Sequence, residues 1–354
     1  METTLRLVSL LEPIRPQMER VERLLYETLA QVEEPLGLRL RRSLGGGKRL
    51  RPALVVLVGR MFASCTSPLI PPMGGRTSAA SFHSLAAAVE MLHIATLIHD
   101  DLVDGAPLRR GRETLHTVWP AGATVLAGDY LLAQAASLVA ELERPRILKI
   151  FAETLCIMCA GEIRQMFVTR GEQGHSRVAV EQTALDSIGR CGREEYYRSI
   201  EAKTASLYAA TTEMAGVLAG AEESQVVALR RFGRELGMAF QIVDDVLDFI
   251  GDEAQLGKPA GSDLRQGLIT LPTLCYLERV EDGASINAVL SGQRDDEHVR
   301  VAIEAVCSSG AIEASLAEAR AHARQSQEAL ATLPDNGSRH TLCSLAEYVV
   351  ERKH

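Results

Sequence analysis

Asp100-Asp101-Leu102-Val103-Asp104 and Asp244-Asp245-Val246-Leu247-Asp248 are two aspartate clusters with the same spacing. Each cluster closes an apolar run, Ala86–Ile98 before the first and Met238–Val243 before the second. Three carboxylates on one helical turn beside a core repel one another and are costly to desolvate. Their repetition predicts a strong cation held between the two clusters.

The spacing within each cluster fits a metal site. On a helix, Asp100 and Asp104 lie one turn apart on the same face, and Asp101 lies about 100° around the axis. Clustered carboxylate oxygens suit Mg²⁺, which keeps several waters and is usually completed by the phosphates of a substrate. One such cluster alone could be a solvated helix end. Two with identical spacing favour the metal site.

Two groups of basic residues are placed to bind phosphate. Arg109 and Arg110 follow the first cluster, and Lys48 and Arg51 lie in the segment Gly46–Pro52. Glycine lets backbone N–H groups approach an anion, and arginine binds phosphate oxygens in a bidentate manner. A Gly-Gly-Lys turn alone is more often an ordinary basic loop. Together with the aspartate clusters, it predicts a second anion pocket and hence two diphosphate substrates.

Composition and periodicity indicate an all-helical globular protein. Of the 354 residues, 46% are apolar and 24% are charged, which is ordinary for a globular protein with a large core. Apolar residues follow the helical period in Val56–Phe62, Leu85–Ile98, Val125–Leu138, Ile147–Met158 and Val226–Leu247. Strand-like alternation is nearly absent. We therefore predict one all-α domain, 1–354, with loop insertions near 64–81 and 170–193.

Several classes of function and location are disfavoured. A net charge of −8 without a basic stripe argues against a nucleic-acid partner. No apolar run approaches the roughly 18 residues that span a bilayer, and no signal or transit peptide is visible. We expect no transmembrane segment and a cytoplasmic location. Cys156 and Cys159 have C-x-x-C spacing, but without a second pair or a histidine nearby we expect buried thiols.

In these motifs the chain resembles the trans-isoprenyl diphosphate synthases, the head-to-tail polyprenyl synthetases. The matching segments follow the family order: Gly46–Pro52, His93–Asp104, Leu108–Gly111, Leu126–Tyr130, Lys203–Ala205, Gln241–Asp248, Leu256–Pro259 and Thr270–Pro272. The resemblance implies an isoprenoid-synthase-type helical bundle around a central cavity. It also implies two or three Mg²⁺ ions, an allylic diphosphate and isopentenyl diphosphate as substrates, and a homodimer.

The resemblance further implies roles for individual residues. The metal ligands would be Asp100, Asp104 and Asp244, with Asp101, Asp245 and Asp248 as further ligands or as their supports. Arg109, Lys203 and Lys258 would bind the allylic diphosphate. Lys48, Arg51, His93 and Arg110 would bind isopentenyl diphosphate. Thr204 and Gln241 would turn their dipoles toward the allylic cation, and His99 would pack or donate a supporting hydrogen bond.

The helix that ends at Asp100 can also set product length. Positions further down this helix are Thr96, Ala95, Leu92 and Val89. At 1.5 Å per residue, Val89 lies about 16 Å below the metal site, enough for several C5 units. In short-chain members of the family a bulky aromatic residue near Ala95 closes the tunnel, whereas Ala95 and Thr96 are small. We therefore predict a long-chain product of about C30 to C50.

Alternative functions remain for such a chain. Another helix could block the tunnel, which would give a geranylgeranyl or farnesyl diphosphate synthase. A class I terpene cyclase also ionises such substrates, but it needs no second diphosphate pocket and normally mixes Asn, Ser or Thr with Glu in its second motif. A non-catalytic partner subunit usually lacks one aspartate cluster, and both are intact here.

Overall fold

The structure is a computed structural model that describes residues 2–352, except 31, 33, 35, 46, 64–77, 110, 171–184, 252–259 and 281. At 2–4, 167–170 and 185–191 it describes the backbone only. The chain groups into two compact units. Unit 1 comprises Met1–Thr154, Tyr208–Gly233 and Gln327–Leu345, and unit 2 comprises Leu155–Leu207, Arg234–Ser326 and Ala346–His354. The single domain 1–354 stays a prediction.

Helices account for nearly all of the regular structure, which confirms the all-α prediction. In chain order they are α1 Glu2–Leu11, a 3-10 turn Glu12–Ile14, α2 Arg15–Thr28, α3 Leu36–Ser43, α4 Leu50–Ala63, α5 Ala79–Val103, α6 Leu115–Val118, α7 Ala121–Ala140, α8 Pro145–Arg170, α9 Leu185–Ile200, a π-turn Glu201–Ala205, α10 Ser206–Ala219, α11 Glu223–Ile250, α12 Ser262–Gln266, α13 Leu271–Leu277, α14 Ala284–Leu290, α15 Asp296–Ser308, α16 Ala311–Ala329 and α17 Gly337–Glu351. In the described part of the chain, the strands are β1 Leu108–Arg109 and β2 Arg112–Glu113, which form a small antiparallel hairpin.

Helix α5 is the central helix of unit 1. Its residues 85–92 are all buried, and it packs against α2, α4 and α7. A helix that is apolar on every side belongs in a core. The Ser78 hydroxyl caps the start of α5 by accepting from the backbone N–H of Ser81, and Gly105 with φ +63° follows its end. The core helix therefore ends at the first aspartate cluster.

In the described part of the chain, two helices are apolar and long enough by length and composition to cross a membrane, although the sequence predicts no apolar run of roughly 18 residues. In α5, 67% of the most apolar window is buried inside the protein, as expected for a core helix. In α7 the corresponding share is 39%, and Val125 and Leu126 are exposed. Helix α7 therefore presents an apolar face outside the core of unit 1.

The core of unit 2 is built around the second half of α11. Met238, Ile242 and Val246 recur at the helical period and are buried. They belong to a cluster with residues of α13, α15 and α16, among them Leu274 and Val306. The second aspartate cluster thus lies on the last two turns of an amphipathic helix, beside the core of unit 2.

Two predictions about local structure need correction. The predicted insertions 64–81 and 170–193 are shorter at their described edges, because helices occupy 79–81, 170 and 185–193, while 64–77 and 171–184 lie outside the described residues. Cys156 and Cys159 are exposed instead of buried. Among the described side chains of α8 the buried positions are 147, 151, 154 and 158, so both cysteines lie outside the buried face.

Candidate active site

The first aspartate cluster lies at the C-terminal end of α5 in unit 1. Asp100 is half-buried, Asp101 is buried, and Asp104 is exposed directly after the last helical residue. The backbone N–H of Asp104 donates to the carbonyl of Asp100 over 2.8 Å, which keeps the predicted one-turn spacing. The carbonyl end of a helix carries partial negative charge, which the carboxylates reinforce. This end of α5 therefore attracts cations.

The hairpin of β1 and β2 brings Arg109 to the first cluster. The Nε of Arg109 donates to Oδ1 of Asp101 over 2.6 Å. Burial raises the pKa of Asp101, and the positive charge of Arg109 opposes this rise. Arg109 thus lies where the sequence predicts a cation, and it stabilises the charge of the most buried carboxylate of the cluster.

The three carboxylates of the second cluster differ in exposure. The Asp244 side chain is 43% exposed, whereas Asp245 and Asp248 are buried. In Asp248, Oδ2 accepts from the backbone N–H of Asp263 over 3.0 Å, and the carbonyl accepts from the N–H of Gly261 over 2.8 Å. Asp248 therefore holds the start of α12 against α11, while Asp244 is the accessible member.

Asp245 is buried and accepts a hydrogen bond at each of its two carboxylate oxygens. The hydroxyl of Tyr196 donates to its Oδ2 over 2.7 Å, and Nε2 of Gln241 donates to its Oδ1 over 2.9 Å. Burial and the charge of Asp263 raise the pKa of Asp245 well above its usual range. Burial and the neighbouring carboxylate likewise raise the pKa of Tyr196, which keeps its hydroxyl protonated as a donor.

The π-turn connects Thr204 to this hydrogen-bond chain. The hydroxyl of Thr204 donates to Oε1 of Gln241 over 2.7 Å, so that Thr204, Gln241 and Asp245 form one connected row. A π-turn inserts an extra residue into a helix and is frequent at functional sites. Arg234 holds the turn through two bonds to the carboxylate of Glu201, of 2.6 and 2.8 Å. The structure therefore brings together Thr204, Gln241 and the second cluster.

Lys203 lies on the same π-turn but is paired with an acid. Its Nζ is 2.9 Å from Oε2 of Glu162 on α8. The two side chains are 35% and 21% exposed, so the pair is partly shielded from solvent. Glu162 had no motif to mark it in the sequence. A diphosphate that binds Lys203 must compete with this carboxylate.

The three cations of the basic segment in unit 1, Lys48, Arg49 and Arg51, have different surroundings. Lys48 is half-buried, and Arg51 is buried with its guanidinium 4.4 Å from the centre of the Tyr208 ring, a cation–π contact. Nε of Arg51 has no hydrogen-bond partner among the described residues. A buried N–H without an acceptor is what a phosphate oxygen would satisfy. Arg49 instead binds carboxylates of the protein.

His93 and His99, two of the three histidines of α5, have different surroundings. His93 is half-buried, and its carbonyl accepts from the hydroxyl of Thr96 over 2.8 Å. His99 lies against α7, with Nε2 3.1 Å from the carbonyl of Val125. A Cβ at Gly128 would come within 2.2 Å of that ring, so the glycine is needed for the contact. These contacts agree with the packing and hydrogen-bonding role expected for His99.

The candidate chain-length residues lie in the core of unit 1. Ala95, Leu92 and Val89 are buried, and Thr96 is half-buried. Their side chains are small or aliphatic, as the sequence predicts for the wall of a cavity that holds a hydrocarbon chain. Their role in product length stays a prediction. Arg110 and Lys258, two of the predicted diphosphate ligands, lie outside the described residues, as does Gly46.

The aspartate clusters fit Mg²⁺ by their chemistry. Among the described residues, no group of three or more His, Cys, Asp or Glu side chains converges on one point. Mg²⁺ usually takes only one or two protein carboxylates and completes its shell with water and phosphate oxygens, so it needs no such cage. At Asp244 a cation is already present, because the guanidinium of Arg352 lies 2.7 Å from its Oδ1. Hard oxygens at two helix ends suit a divalent cation.

Known proteins share this sequence and this fold. The family model described as "Polyprenyl synthetase" matches residues 37–306. The heptaprenyl diphosphate synthase component 2 of Geobacillus stearothermophilus is 36% identical, over 93% of this chain and 97% of its own length. The nonaprenyl diphosphate synthase of Mycobacterium tuberculosis is 35% identical, over 96% of this chain and 93% of its own.

A solved structure agrees in fold as well. The polyprenyl synthase of Caulobacter crescentus CB15, crystallised with calcium and isoprenyl diphosphate, is 35% identical with a TM-score of 0.82. The match covers 99% of this chain and 98% of that one. Family model, sequence relatives and structural neighbour agree with the fold and the family that the motifs predicted. The chain therefore belongs to the polyprenyl synthetase family and is a prenyltransferase.

Proposed function

We propose that this prenyltransferase adds isopentenyl diphosphate repeatedly, head to tail, to an allylic diphosphate and makes an all-trans product of about C30 to C50. The proposal is supported by two different sets of residues that each suit a diphosphate. The aspartate clusters suit a metal-bridged diphosphate, and the buried Arg51 with its unpartnered Nε suits a diphosphate bound directly. The names of the relatives, hepta- and nonaprenyl diphosphate synthases, support the long product.

In the proposed reaction, the first task of the protein is to hold the allylic diphosphate as a leaving group. Asp100, Asp104 and Asp244 would hold Mg²⁺, which neutralises charge on a departing diphosphate. Arg109 would add a cation at the first cluster, and Lys203 would add another once it leaves Glu162. Fixed cations of this kind stabilise charge that develops as a bond to oxygen breaks.

The second task is to place isopentenyl diphosphate and to protect the allylic cation. Lys48, Arg51, His93 and Arg110 would bind its diphosphate, so that its double bond attacks C1 of the allylic cation. The new C–C bond forms, and a proton leaves, most simply to the departing diphosphate. The oxygen dipoles of Thr204 and Gln241, which are held in one row with Asp245, would face the positive charge.

The product would grow along α5. Ala95 and Thr96 follow the metal site without a bulky side chain, and Leu92 and Val89 continue the same aliphatic surface. Each addition moves the hydrocarbon tail further from the aspartate cluster. The first bulky obstacle along this path then decides where growth stops.

We further propose that the chain acts as a homodimer in the cytoplasm. The exposed apolar residues Val125 and Leu126 on α7 are of the kind that a second protein chain covers. A relative named as a component 2 makes a second, different subunit the alternative. Light scattering and an activity assay of the purified chain test the homodimer. A monomer that becomes active only with another protein would contradict it.

The proposal is tested with the purified chain alone. It is incubated with farnesyl diphosphate, an excess of isopentenyl diphosphate and Mg²⁺, and both released diphosphate and consumed farnesyl diphosphate are measured. We expect a ratio of diphosphate released to farnesyl diphosphate consumed of about three to seven, the number of C5 additions between C15 and C30 to C50. A ratio near one would indicate a short-chain synthase. No release at all from the folded chain would indicate a non-catalytic subunit.

A further inference from the structure

Arg49 has a backbone conformation that its residue type disfavours. Its φ is +52°, in the left-handed region where a side chain with a Cβ is strained. Its carbonyl accepts from the N–H of Ala53 over 3.1 Å, so Arg49, directly before α4, also joins the first turn of that helix. Strain of this kind persists only where surrounding contacts enforce it.

Three acceptors from three parts of unit 1 hold the Arg49 guanidinium. Nε lies 2.5 Å from Oε1 of Glu22 on α2, and Nη1 lies 2.7 Å from Oε1 of Glu90 on α5. Nη2 also donates to the carbonyl of Leu44. Only 11% of the Arg49 side chain is exposed. Although burial opposes its charge, the two carboxylates raise the pKa of Arg49, so its guanidinium stays charged.

Glu90 is an unusual residue for its place. It lies within the fully buried stretch 85–92 of α5, and its side chain is 5% exposed. An isolated carboxylate in a core is costly unless a cation and hydrogen bonds compensate for lost water. Arg49 supplies that cation. Because Glu90 and His93 are three residues apart, they share one side of α5.

We propose that Arg49 is a positioning residue for the isopentenyl diphosphate site. Its ion pairs with Glu22 and Glu90 fix the left-handed turn between Lys48 and Arg51 and tie that turn to the side of α5 that carries His93. Arg49 itself does not contact the substrate. This inference rests on the proposed role of Lys48, Arg51 and His93 in binding that diphosphate.

A purely structural role would give a different result. If the ion pairs only stabilised the fold, their loss would lower the thermal midpoint and leave the substrate constants of the folded enzyme unchanged. If they position the turn, their loss displaces Lys48 and Arg51, the two cations proposed to bind isopentenyl diphosphate. The KM for isopentenyl diphosphate and its dissociation constant would then rise, while the KM for the allylic diphosphate would stay the same.

Three variants separate these cases. Arg49→Gly introduces a residue that tolerates positive φ and removes the guanidinium. Glu90→Gln keeps the shape of the acid and removes its charge. Arg49→Lys keeps the charge, but a compact ammonium cannot hold three separated acceptors in the geometry of the guanidinium. Arg41→Gln is the matched control, since it breaks the Arg41–Glu34 ion pair elsewhere in unit 1.

The experiment measures both KM values by initial rates and the affinity for isopentenyl diphosphate alone by calorimetry. Arg49→Gly and Glu90→Gln should weaken the binding of isopentenyl diphosphate about fivefold to thirtyfold. The KM for the allylic diphosphate should stay within about twofold of wild type. Arg49→Lys should fall between them and wild type, and Arg41→Gln should have no effect. Circular dichroism checks folding first; should Arg49→Gly not fold, Glu90→Gln and Arg49→Lys decide the outcome.

Lys48→Ala and Arg51→Gln separate the positioning role of Arg49 from the proposed substrate site on which it rests. If neither variant weakens the binding of isopentenyl diphosphate, the proposed location of that substrate is wrong. If both weaken it while Glu90→Gln and the folded Arg49 variants match wild type, the substrate site stands and the positioning role of Arg49 is overturned. A parallel loss of both substrates in the Arg49 variants would also overturn it.

Discussion

Arg352 places a guanidinium on Asp244, the most accessible carboxylate of the second cluster. Its Nη2 lies 2.7 Å from Oδ1 of Asp244 and 2.6 Å from the carbonyl of Phe240, and only 2% of its side chain is exposed. The guanidinium carbon also lies 3.8 Å from the centre of the Phe240 ring. A cation of the protein therefore occupies an oxygen that we propose for Mg²⁺, and the two should compete.

Replacing Arg352 tests this competition. Arg352→Gln retains a polar side chain but no longer neutralises Asp244. We expect half-saturation at a Mg²⁺ concentration about twofold to tenfold lower, since loss of a partly buried ion pair is of this order. Calorimetric Mg²⁺ binding in the presence of inorganic diphosphate provides a readout independent of turnover. Arg300→Gln, at an exposed ion pair, is the control; a higher Mg²⁺ requirement in Arg352→Gln would show that Arg352 supports Asp244 instead.

Glu162 should weaken the binding of the allylic diphosphate, because its carboxylate already pairs with Lys203. Glu162→Gln removes the negative charge 2.9 Å from the lysine Nζ while retaining the side-chain shape. We expect the KM for the allylic diphosphate to fall about twofold to fivefold, with little change for isopentenyl diphosphate. Glu153→Gln, which breaks the exposed pair with Lys149 on the same helix, should change neither constant. A raised allylic KM in Glu162→Gln would mean that the acid orients Lys203.

Asp245 should cost the folded protein stability at neutral pH. Because its folded pKa is raised above that of an unfolded aspartate, the folded state binds more protons and stability falls as pH rises above about 3.9. Asp245→Asn removes this cost, since its oxygen can accept from Gln241 and its amide can donate to the Tyr196 oxygen.

The test is thermal unfolding in EDTA across pH. We expect the midpoint of Asp245→Asn to exceed that of wild type by about 1–3 °C at pH 7 to 8, and the gain to shrink as pH falls toward 4. Asp104→Asn, at an exposed carboxylate, serves as the comparison. A lower midpoint for Asp245→Asn at pH 8 would refute the destabilising effect of the buried charge.

Bulky residues on α5 should shorten the product in order of depth. Ala95→Phe places an aromatic ring about one turn from Asp100, and Leu92→Phe places one about 4.5 Å deeper. The first should give the shortest product and the second an intermediate one. Overpacking costs about 1–3 kcal/mol, so thermal midpoints are compared before products are analysed by chromatography. If both variants fold and their products are unchanged, α5 does not set the length of the product.

The aspartate clusters and their helices could be predicted because the signals are local. Apolar residues at the helical period located α5 and α11, although the predicted span Leu85–Ile98 was shorter than Ala79–Val103. The small and polar residues at 79–84 gave no apolar repeat, yet the Ser78 cap and packing extend the helix there. Local periodicity thus identified the helices better than their ends.

The partners of the site residues could not be predicted in the same way. Tyr196 reaches Asp245 across 49 positions of sequence, and Arg352 reaches Asp244 across more than 100. Such pairs form only when packed helices bring them together, and neither residue stands in a motif. The exposure of Cys156 and Cys159 likewise depends on which side of α8 meets the core. Positive φ at Arg49 has no sequence signal, because glycine is the usual residue there.

The central claim is that one chain binds two diphosphates and builds a long polyprenyl chain. It is tested most directly by incubating the purified protein with farnesyl diphosphate, radiolabelled isopentenyl diphosphate and Mg²⁺ and separating the dephosphorylated products by length. We predict a main product between C30 and C50, which is lost in Asp100→Asn and in Asp244→Asn. A product that stops at C20, or one unaffected by either substitution, would contradict it.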